Sequence, residues 1–257
     1  VTALNNANRL MQLPIGIIAM SIASAFFPTL TELIAKNDIK SFKKKLVEGI
    51  NVNNFILIPA SVGLMVVAEP LIRALFMQGK FTEANVEITA SVLIFYCVGI
   101  IGYSQQQILH RGMYALRDSK RAVIVNCAII FINIFLSLLM VHSMGAQGLA
   151  LAYSVAGLIS MVLLYILLCV KVGDLGTRDI TSSLVKILIA SLIMGVSVAG
   201  FLHFIDPIID ITSKSQQLVE LVLAIGIGVV VYTVAAFALR IKETQIAMSI
   251  IKRKLHR

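Results

Sequence analysis

The amino-acid sequence predicts an all-α, polytopic integral membrane protein with about seven transmembrane helices. Of its 257 residues, 58% are hydrophobic and only 14% are charged, whereas a soluble domain has roughly 45–50% apolar and about 25% charged residues. The mean hydropathy of +0.93 points the same way. This composition excludes an ordinary soluble protein and a disordered one.

Seven continuous apolar runs account for the predicted helices. Each is long enough to cross about 30 Å of hydrocarbon at about 1.5 Å per residue. A spanning β-barrel would instead alternate apolar and polar residues. The segment 69–82 is too short and too polar to span, so we expect an interfacial or re-entrant loop there. The predicted spans are 10–34, 47–68, 86–109, 122–141, 148–170, 184–204 and 218–239.

Positive charge is concentrated on one side of these spans. Eighteen of the 22 Lys and Arg residues fall in the segments 36–45, 111–121, 171–186 and 240–257. Because cytoplasmic loops carry the excess of Lys and Arg, these segments are predicted to be cytoplasmic, and 207–215 external. The charge balance is therefore a topological signal and an attraction to lipid headgroups, and nucleic acid is not a predicted partner. The remaining four are Arg9, Arg73, Lys80 and Lys214.

The sequence offers no catalytic or metal-binding constellation. The four histidines are scattered, all 13 acids lie in or near loops, and no known catalytic motif or phosphate loop occurs. The three cysteines, Cys97, Cys127 and Cys169, lie in apolar runs without a CxxC pair, which argues against disulfides and zinc. We therefore expect neither an enzyme nor a bound cofactor. Because the chain opens at Val1 without a charged n-region, we expect a piece of a longer protein.

The first span carries a polar, small-residue face. At about 100° per residue, residues 5, 9, 12 and 16 fall within about 60° of one another. Ala19 and Ala23 are expected to continue the row. An arginine at this depth either snorkels to the interface or faces a hydrated cavity and contacts an anion. A guanidinium suits phosphate, which it can grip with two parallel hydrogen bonds. We refer to this set as the Arg9 face; it comprises Asn5, Arg9, Gln12 and Gly16.

Two prolines interrupt the same span. Pro14 and Pro28 each remove a backbone hydrogen bond and favour a kink. With Gly16 they form the candidate hinge.

Weaker polar rows occur in later spans. Interhelical hydrogen bonding is the preferred interpretation of these rows over substrate contact. Small residues at 152, 156 and 160 indicate close helix packing. The polar rows are Tyr96, Tyr103 and Gln107 in the third span, and Asn126, Asn133 and Ser137 in the fourth.

Four motifs follow one another along the chain. They are Ala-Asn-Arg-Leu-Met-Gln-Leu-Pro-Ile-Gly at 7–16 with Ala-Ser-Ala-Phe-Phe-Pro-Thr-Leu at 23–30; Glu-Pro-Leu at 69–71 with Leu-Phe-Met-Gln-Gly-Lys-Phe-Thr at 75–82; Arg-Gly-Met-Tyr-Ala-Leu-Arg-Asp at 111–118; and Gly-Ala-Gln-Gly-Leu-Ala-Leu-Ala at 145–152. In order and spacing they resemble the lipid II flippases, the MurJ or MviN family of the MOP transporter superfamily. Two positions depart from that family's pattern. Asn8 stands where an acid often precedes the arginine, and Ser119 follows the Asp where Thr-Pro is frequent.

The resemblance implies that the chain is the C-terminal half, helices eight to fourteen, of a fourteen-helix transporter. Such a protein moves a lipid-linked peptidoglycan precursor from the inner to the outer leaflet of the bacterial cytoplasmic membrane by alternating access. Residues 1–170 would belong to the C-terminal lobe, 171–239 would add two helices with a groove for the lipid tail, and 240–257 would form a basic cytoplasmic tail. The implied partners are the lipid-linked diphosphate precursor, membrane lipids and the N-terminal lobe. The implied substrate-binding residues are Asn5, Asn8, Arg9 and Gln12.

Two other functions stay open at this point. One is a related exporter of a lipid-linked oligosaccharide or of drugs, although a drug exporter is expected to carry embedded acids. The other is a membrane scaffold that transports nothing, although a scaffold does not need a polar face with an arginine. A second set of arginines on the early spans of the missing half would favour the flippase.

Overall fold

The computed structural model describes residues 2–77, 81–205 and 214–244, except for the side chains of residues 214 and 215. All regular structure in these residues is helical, as the sequence predicts. The helices are α1 (Thr2–Pro14), a π-helical turn (Ile15–Ala19), α2 (Met20–Ala35), α3 (Ile39–Val66), α4 (Ala68–Phe76), α5 (Glu83–Ala115), α6 (Ser119–Val172), α7 (Thr177–Ile205) and α8 (Lys214–Ala238).

The described helices provide the seven predicted spans. Six continuous helical segments are long and apolar enough to cross a membrane. One of them, α6, has 54 residues, about 80 Å at 1.5 Å per residue, which is far more than one crossing needs. Gly145 breaks it with φ 57° and ψ −127°, a conformation that glycine adopts without steric cost. The two parts of α6 therefore account for the fourth and fifth predicted spans.

The segment expected to be a loop at 69–82 contains a short helix. Within the nine residues of α4, Glu69 and Arg73, one turn apart, form an ion pair of 2.8 Å that supports the helix. Arg73 also donates to Glu83 at the start of α5, which fixes α4 against that helix. The prediction that the segment does not span agrees with its length. Residues 78–80 lie outside the described residues.

Two turns between helices share one design. At the end of α2, Asn37 takes a left-handed conformation (φ 55°) and Asp38 caps α3 by accepting from the Ser41 N–H at 3.0 Å. At the end of α5, Arg117 (φ 54°) and Asp118 repeat the arrangement before α6.

Helix α5 is the central element, since it packs against α1, α2, α3, α4 and α6. The approach of α5 to α6 is so close that a Cβ atom on Gly102 would lie 2.5 Å from the Gly157 carbonyl carbon. The small residues Ala152, Ala156 and Ser160 are buried nearby, as their spacing predicts. Helices α7 and α8 pack on each other and on α3 through a separate apolar cluster. The last two spans thus form a layer on one side of the α1–α6 group.

Candidate functional site

The Arg9 face lies on the side of α1 that points away from α5. All four of its residues are exposed in this chain. The opposite side of α1 is buried against α5 through Ala7, Leu10 and Met11. The amphipathic pattern therefore orients α1 so that its polar side is free to line a cavity or to meet another part of a longer protein.

Arg9 has no acidic partner in the part of the chain that the structure describes. Among the described residues, no carboxylate lies within salt-bridge distance of its guanidinium. Arg73 is the contrasting case, because Glu69 and Glu83 both bind it and its side chain is only 13% exposed. A guanidinium carries five N–H donors and accepts nothing. Arg9 can therefore offer its donors to an anion that comes from outside this half.

Asn8 borders the Arg9 face rather than belonging to it. Its side-chain oxygen accepts a hydrogen bond from the Gln12 amide, and its other neighbour is the Tyr96 hydroxyl of α5. Tyr96 begins an aromatic row with Tyr153 and Tyr103. The ring centroid of Tyr153 is 5.6 Å from that of Tyr96 and 4.4 Å from that of Tyr103. The Tyr103 hydroxyl donates to the Tyr153 carbonyl at 3.2 Å. Tyr103 therefore joins α5 to α6 by a hydrogen bond, as the interhelical interpretation predicts for this member of the row.

Two residues expected on the Arg9 face do not lie there. Ala19 and Ala23 are 0% and 1% exposed, packed into the core, and the expectation that they continue the row is wrong. The reason is the π turn, in which the Met20 N–H donates to the Ile15 carbonyl five residues back. A π turn amounts to one extra residue in the helix, about 100° of rotation. The small residues beyond it therefore turn onto the buried side.

The three candidate hinge residues differ in their surroundings. Pro14 is the last residue of α1 and directly precedes the π turn, with helical φ −63° and ψ −34°. Gly16 lies inside the turn with open space where a side chain would stand. Pro28 lies within α2, which continues through it without a break. The irregular backbone is thus the π turn, which directly follows Pro14 and contains Gly16.

Sequence reasoning missed a buried amide cluster between α3 and α5. Asn53 donates to the Ser104 hydroxyl at 3.1 Å, and Gln105 donates to the Ile50 carbonyl at 3.1 Å and to the Asn54 side chain. The signal was present, because 51–54 places three asparagines within one turn of an apolar span. Polar groups in an apolar interior need such partners. The cluster therefore fixes the register of α3 on α5.

Sequence reasoning also missed two cation–ring contacts near the middle of α2. Lys45 of α3 lies 4.9 Å from the ring centroid of Phe26, and Arg111 of α5 lies 5.3 Å from that of Phe27. These are cation–π distances. Adjacent aromatic residues of α2 are thus flanked by charge from both neighbouring helices.

A groove of about 500 Å³ opens between α3, α7 and α8. Its lining is almost wholly apolar, and the hydroxyl of the lining residue Tyr232 donates to the Phe55 carbonyl at 2.7 Å. Small residues of α3 make room for this groove. The sequence prediction assigned the groove to the last two spans and did not include α3. The lining includes Phe55, Pro59, Gly63, Met194, Val198, Ala224, Gly228 and Tyr232.

Comparison with known proteins identifies the family. The family model described as lipid II flippase MurJ matches residues 1–218. The chain belongs to the MurJ family. The probable lipid II flippase MurJ of Bdellovibrio bacteriovorus is 30% identical over 233 residues, 91% of this chain and 44% of that protein. The lipid II flippase MurJ of Thermosipho africanus is 32% identical over 168 residues, 65% of this chain and 34% of that protein.

A solved MurJ structure agrees with the fold. The lipid II flippase MurJ in an inward closed conformation superimposes with a TM-score of 0.73 at 27% identity, and the match covers 100% of this chain and 48% of that one. The chain thus spans about half the length of the MurJ relatives that it matches. It is a multi-pass membrane protein of the MurJ fold.

Proposed function

We propose that this chain is the C-terminal half of a flippase that carries a lipid-linked peptidoglycan precursor across the cytoplasmic membrane by alternating access. The observation that carries the proposal is the exposed Arg9, on a polar face and without an acidic partner among the described residues. Such an arginine is costly in a membrane unless it faces a bundle interior or a hydrated cavity. Membership of the MurJ family supplies the class of cargo.

The chemistry of the cargo fits the Arg9 face. A diphosphate with a sugar-peptide head cannot enter hydrocarbon unaided, because desolvating its charges is too costly. Arg9 offers a planar, permanently charged fork to a phosphate, while Asn5, Asn8 and Gln12 supply amides for the neighbouring sugar or phosphate. The N-terminal lobe of the full-length protein completes the cavity in this proposal.

The groove between α3, α7 and α8 receives the lipid tail. Its apolar lining gains free energy from each buried methylene, about 0.8 kcal/mol. The groove lies where residues 171–239, which supply α7 and α8, meet α3 of the 1–170 lobe that carries Arg9. Head and tail of one lipid would thus be held by different layers of the fold.

We assign the four basic segments to the cytoplasmic side, which places the C-terminal tail from residue 240 in the cytoplasm. Three contacts support this by joining the segments at one end of the bundle. Lys171 binds Asp118 at 2.8 Å, Lys43 lies close enough to Asp174 to interact with it, and Ser183 donates to Glu243 at 3.3 Å. Residues 245–257 and 206–213 lie outside the described residues.

The test is complementation in a strain depleted of its own flippase, with variants made in the full-length protein. Arg9→Ala is expected to abolish growth at wild-type membrane abundance, since the phosphate loses its charged contact. Arg9→Lys is expected to retain partial activity, because lysine keeps the charge but loses the two-pronged grip. Arg178→Ala removes an exposed arginine outside the Arg9 face and is expected to grow normally.

Normal growth of Arg9→Ala at matched abundance would contradict the proposal and indicate an arginine that only snorkels. Failure of the wild-type protein to replace the flippase would instead favour a related exporter.

A further inference from the structure

Five of the buried residues in α1, the π turn and α2 follow one another at an interval of four. In a uniform α-helix this interval drifts by about 40° per step, so the first and last members would point about 160° apart. All five are nonetheless at most 9% exposed. Both halves of the span also pack on the same helix, α5. The members of this row are Ala7, Met11, Ile15, Ala19 and Ala23.

A uniform helix would bring Arg9 into conflict with this packing. At about 100° per residue, Ala23 and Leu30 would lie within about 60° of Arg9 on the helix surface. Ala23 and Leu30 are 1% and 0% exposed, packed among residues of α3 and α5. Either Arg9 would enter the core or these residues would leave it. The π turn at Ile15–Ala19 removes the conflict, because its extra residue turns α1 by about 100° relative to α2.

Local chemistry favours the bulge at this place. Pro14 lacks an N–H, so the Leu10 carbonyl has no i+4 backbone donor even in an ideal helix. The Ser21 hydroxyl donates to the Ile17 carbonyl and so satisfies an acceptor within the turn. Gly16 leaves open space at the turn.

We propose that the π turn is a one-residue register spacer that points the Arg9 face away from the core while Ala19, Ala23 and Leu30 pack. This inference rests on the proposed function, in that the Arg9 face must reach the cargo. Ile17 is the natural extra residue, because its side chain is 67% exposed within the turn.

Single-residue deletions and insertions in the full-length protein test the spacer. Deleting Ile17 removes the extra residue and leaves a plain α-helix with both flanks in place. Transport is then expected to stay within about twofold of wild type. Inserting Ala after Ile17 adds a second extra residue, turns α1 by about 100° and shifts it by about 1.5 Å. Transport is then expected to fall about 100-fold. Deleting Ser24 is the matched control, since Ile18 and Ile22 would enter the buried positions of Ala19 and Ala23, and we expect loss of transport.

Cysteine labelling reads the register without relying on transport. With a water-soluble thiol reagent, Gln12→Cys is expected to react and Leu10→Cys to be protected, both in the parent and after deletion of Ile17. In the insertion variant the two are expected to exchange, because residue 10 takes the place of residue 9 and residue 12 that of residue 11. Unchanged labelling after the insertion, or loss of transport on deleting Ile17 at normal abundance, would overturn the spacer. If Arg9→Ala transports normally but the labelling exchanges, the proposed function fails while the spacer stands.

Discussion

Asp118 makes three contacts at the turn between α5 and α6, one of which is an ion pair of 3.6 Å with the exposed Arg121 side chain. It caps α6 through the Arg121 N–H, and it accepts a 2.8 Å ion-pair hydrogen bond from Lys171 at the far end of α6. The hydrogen bond from the Lys171 ammonium is the main reason that the pKa of the Asp118 carboxyl lies below its usual value. One carboxylate thus ties both ends of the long α6 segment together.

We predict that Asp118→Asn lowers the melting temperature at pH 7, because asparagine still caps α6 but cannot form the ion pair. A carboxyl with a depressed pKa contributes stability that is present above its unfolded pKa of about 3.9 and is lost as the pH falls through the folded value. The difference from wild type should therefore shrink below about pH 3.9. Thermal unfolding in detergent measures it. Lys171→Gln removes the same pair from the other side, and a double variant much less stable than either single one would contradict this account.

Individual residues of the site were predictable to different degrees. The exposed positions of Arg9 and Gln12 follow from helical periodicity, because α1 is a regular helix with one apolar side. The places of Ala19 and Ala23 could not be predicted in this way, because a π turn changes the period locally and arises from packing. The apolar interval of four from Ala7 to Ala23 is the feature of the sequence that indicates the π turn.

Among the helices, the apolar runs predicted the spans because a segment in hydrocarbon must satisfy its own backbone as a helix or in a closed barrel, and continuous rather than alternating apolar residues exclude the barrel. The short helix α4 was not predicted, since its stability depends on Arg73 reaching Glu83 ten residues away. The groove was predicted only as a property of the last two spans. Its third wall is α3, where Pro59 and Gly63 make room, and distant pairings of this kind are not visible in one sequence.

A bulky side chain placed in the groove should weaken binding of the lipid tail. A Cβ on Gly63 would meet only Met194 Cε, at an ordinary 3.7 Å, so Gly63→Phe should fold and fill the groove. Displacing about two tail methylenes, at about 0.8 kcal/mol each, corresponds to roughly tenfold weaker binding. Flipping by the full-length protein in liposomes measures the effect. Val196→Phe adds the same ring at a position 74% exposed on α7 and serves as the control. Equal activity of the two variants would show that the tail lies elsewhere.

The chain spans about half the length of its MurJ relatives, and its Arg9 face is exposed. A polar face left against lipid would be unfavourable, so we propose that a facing lobe of a longer protein covers it. The charge distribution along the sequence predicted which ends of the helices lie on one side. The contacts among the four basic segments, such as Lys171 with Asp118, hold those ends together.

We predict that the end of the bundle that carries the basic segments faces the cytoplasm. The ends of α2, α5 and α6 carry the basic segments, whereas the opposite end carries the cluster of Arg73 with Glu69 and Glu83. Because Lys and Arg are retained on the cytoplasmic side, Lys44→Cys should react with an impermeant maleimide only after cells are permeabilised.

Ala84→Cys, exposed in the first turn of α5, should react in intact cells. Both variants are made in the full-length protein after replacement of its other cysteines, including Cys97, Cys127 and Cys169, so that each signal comes from one site. Because one candidate span, α3, lies between the start of α3 and the start of α5, the two variants must respond oppositely. Labelling of Lys44→Cys in intact cells, with Ala84→Cys protected, would invert the bundle and place the basic segments outside.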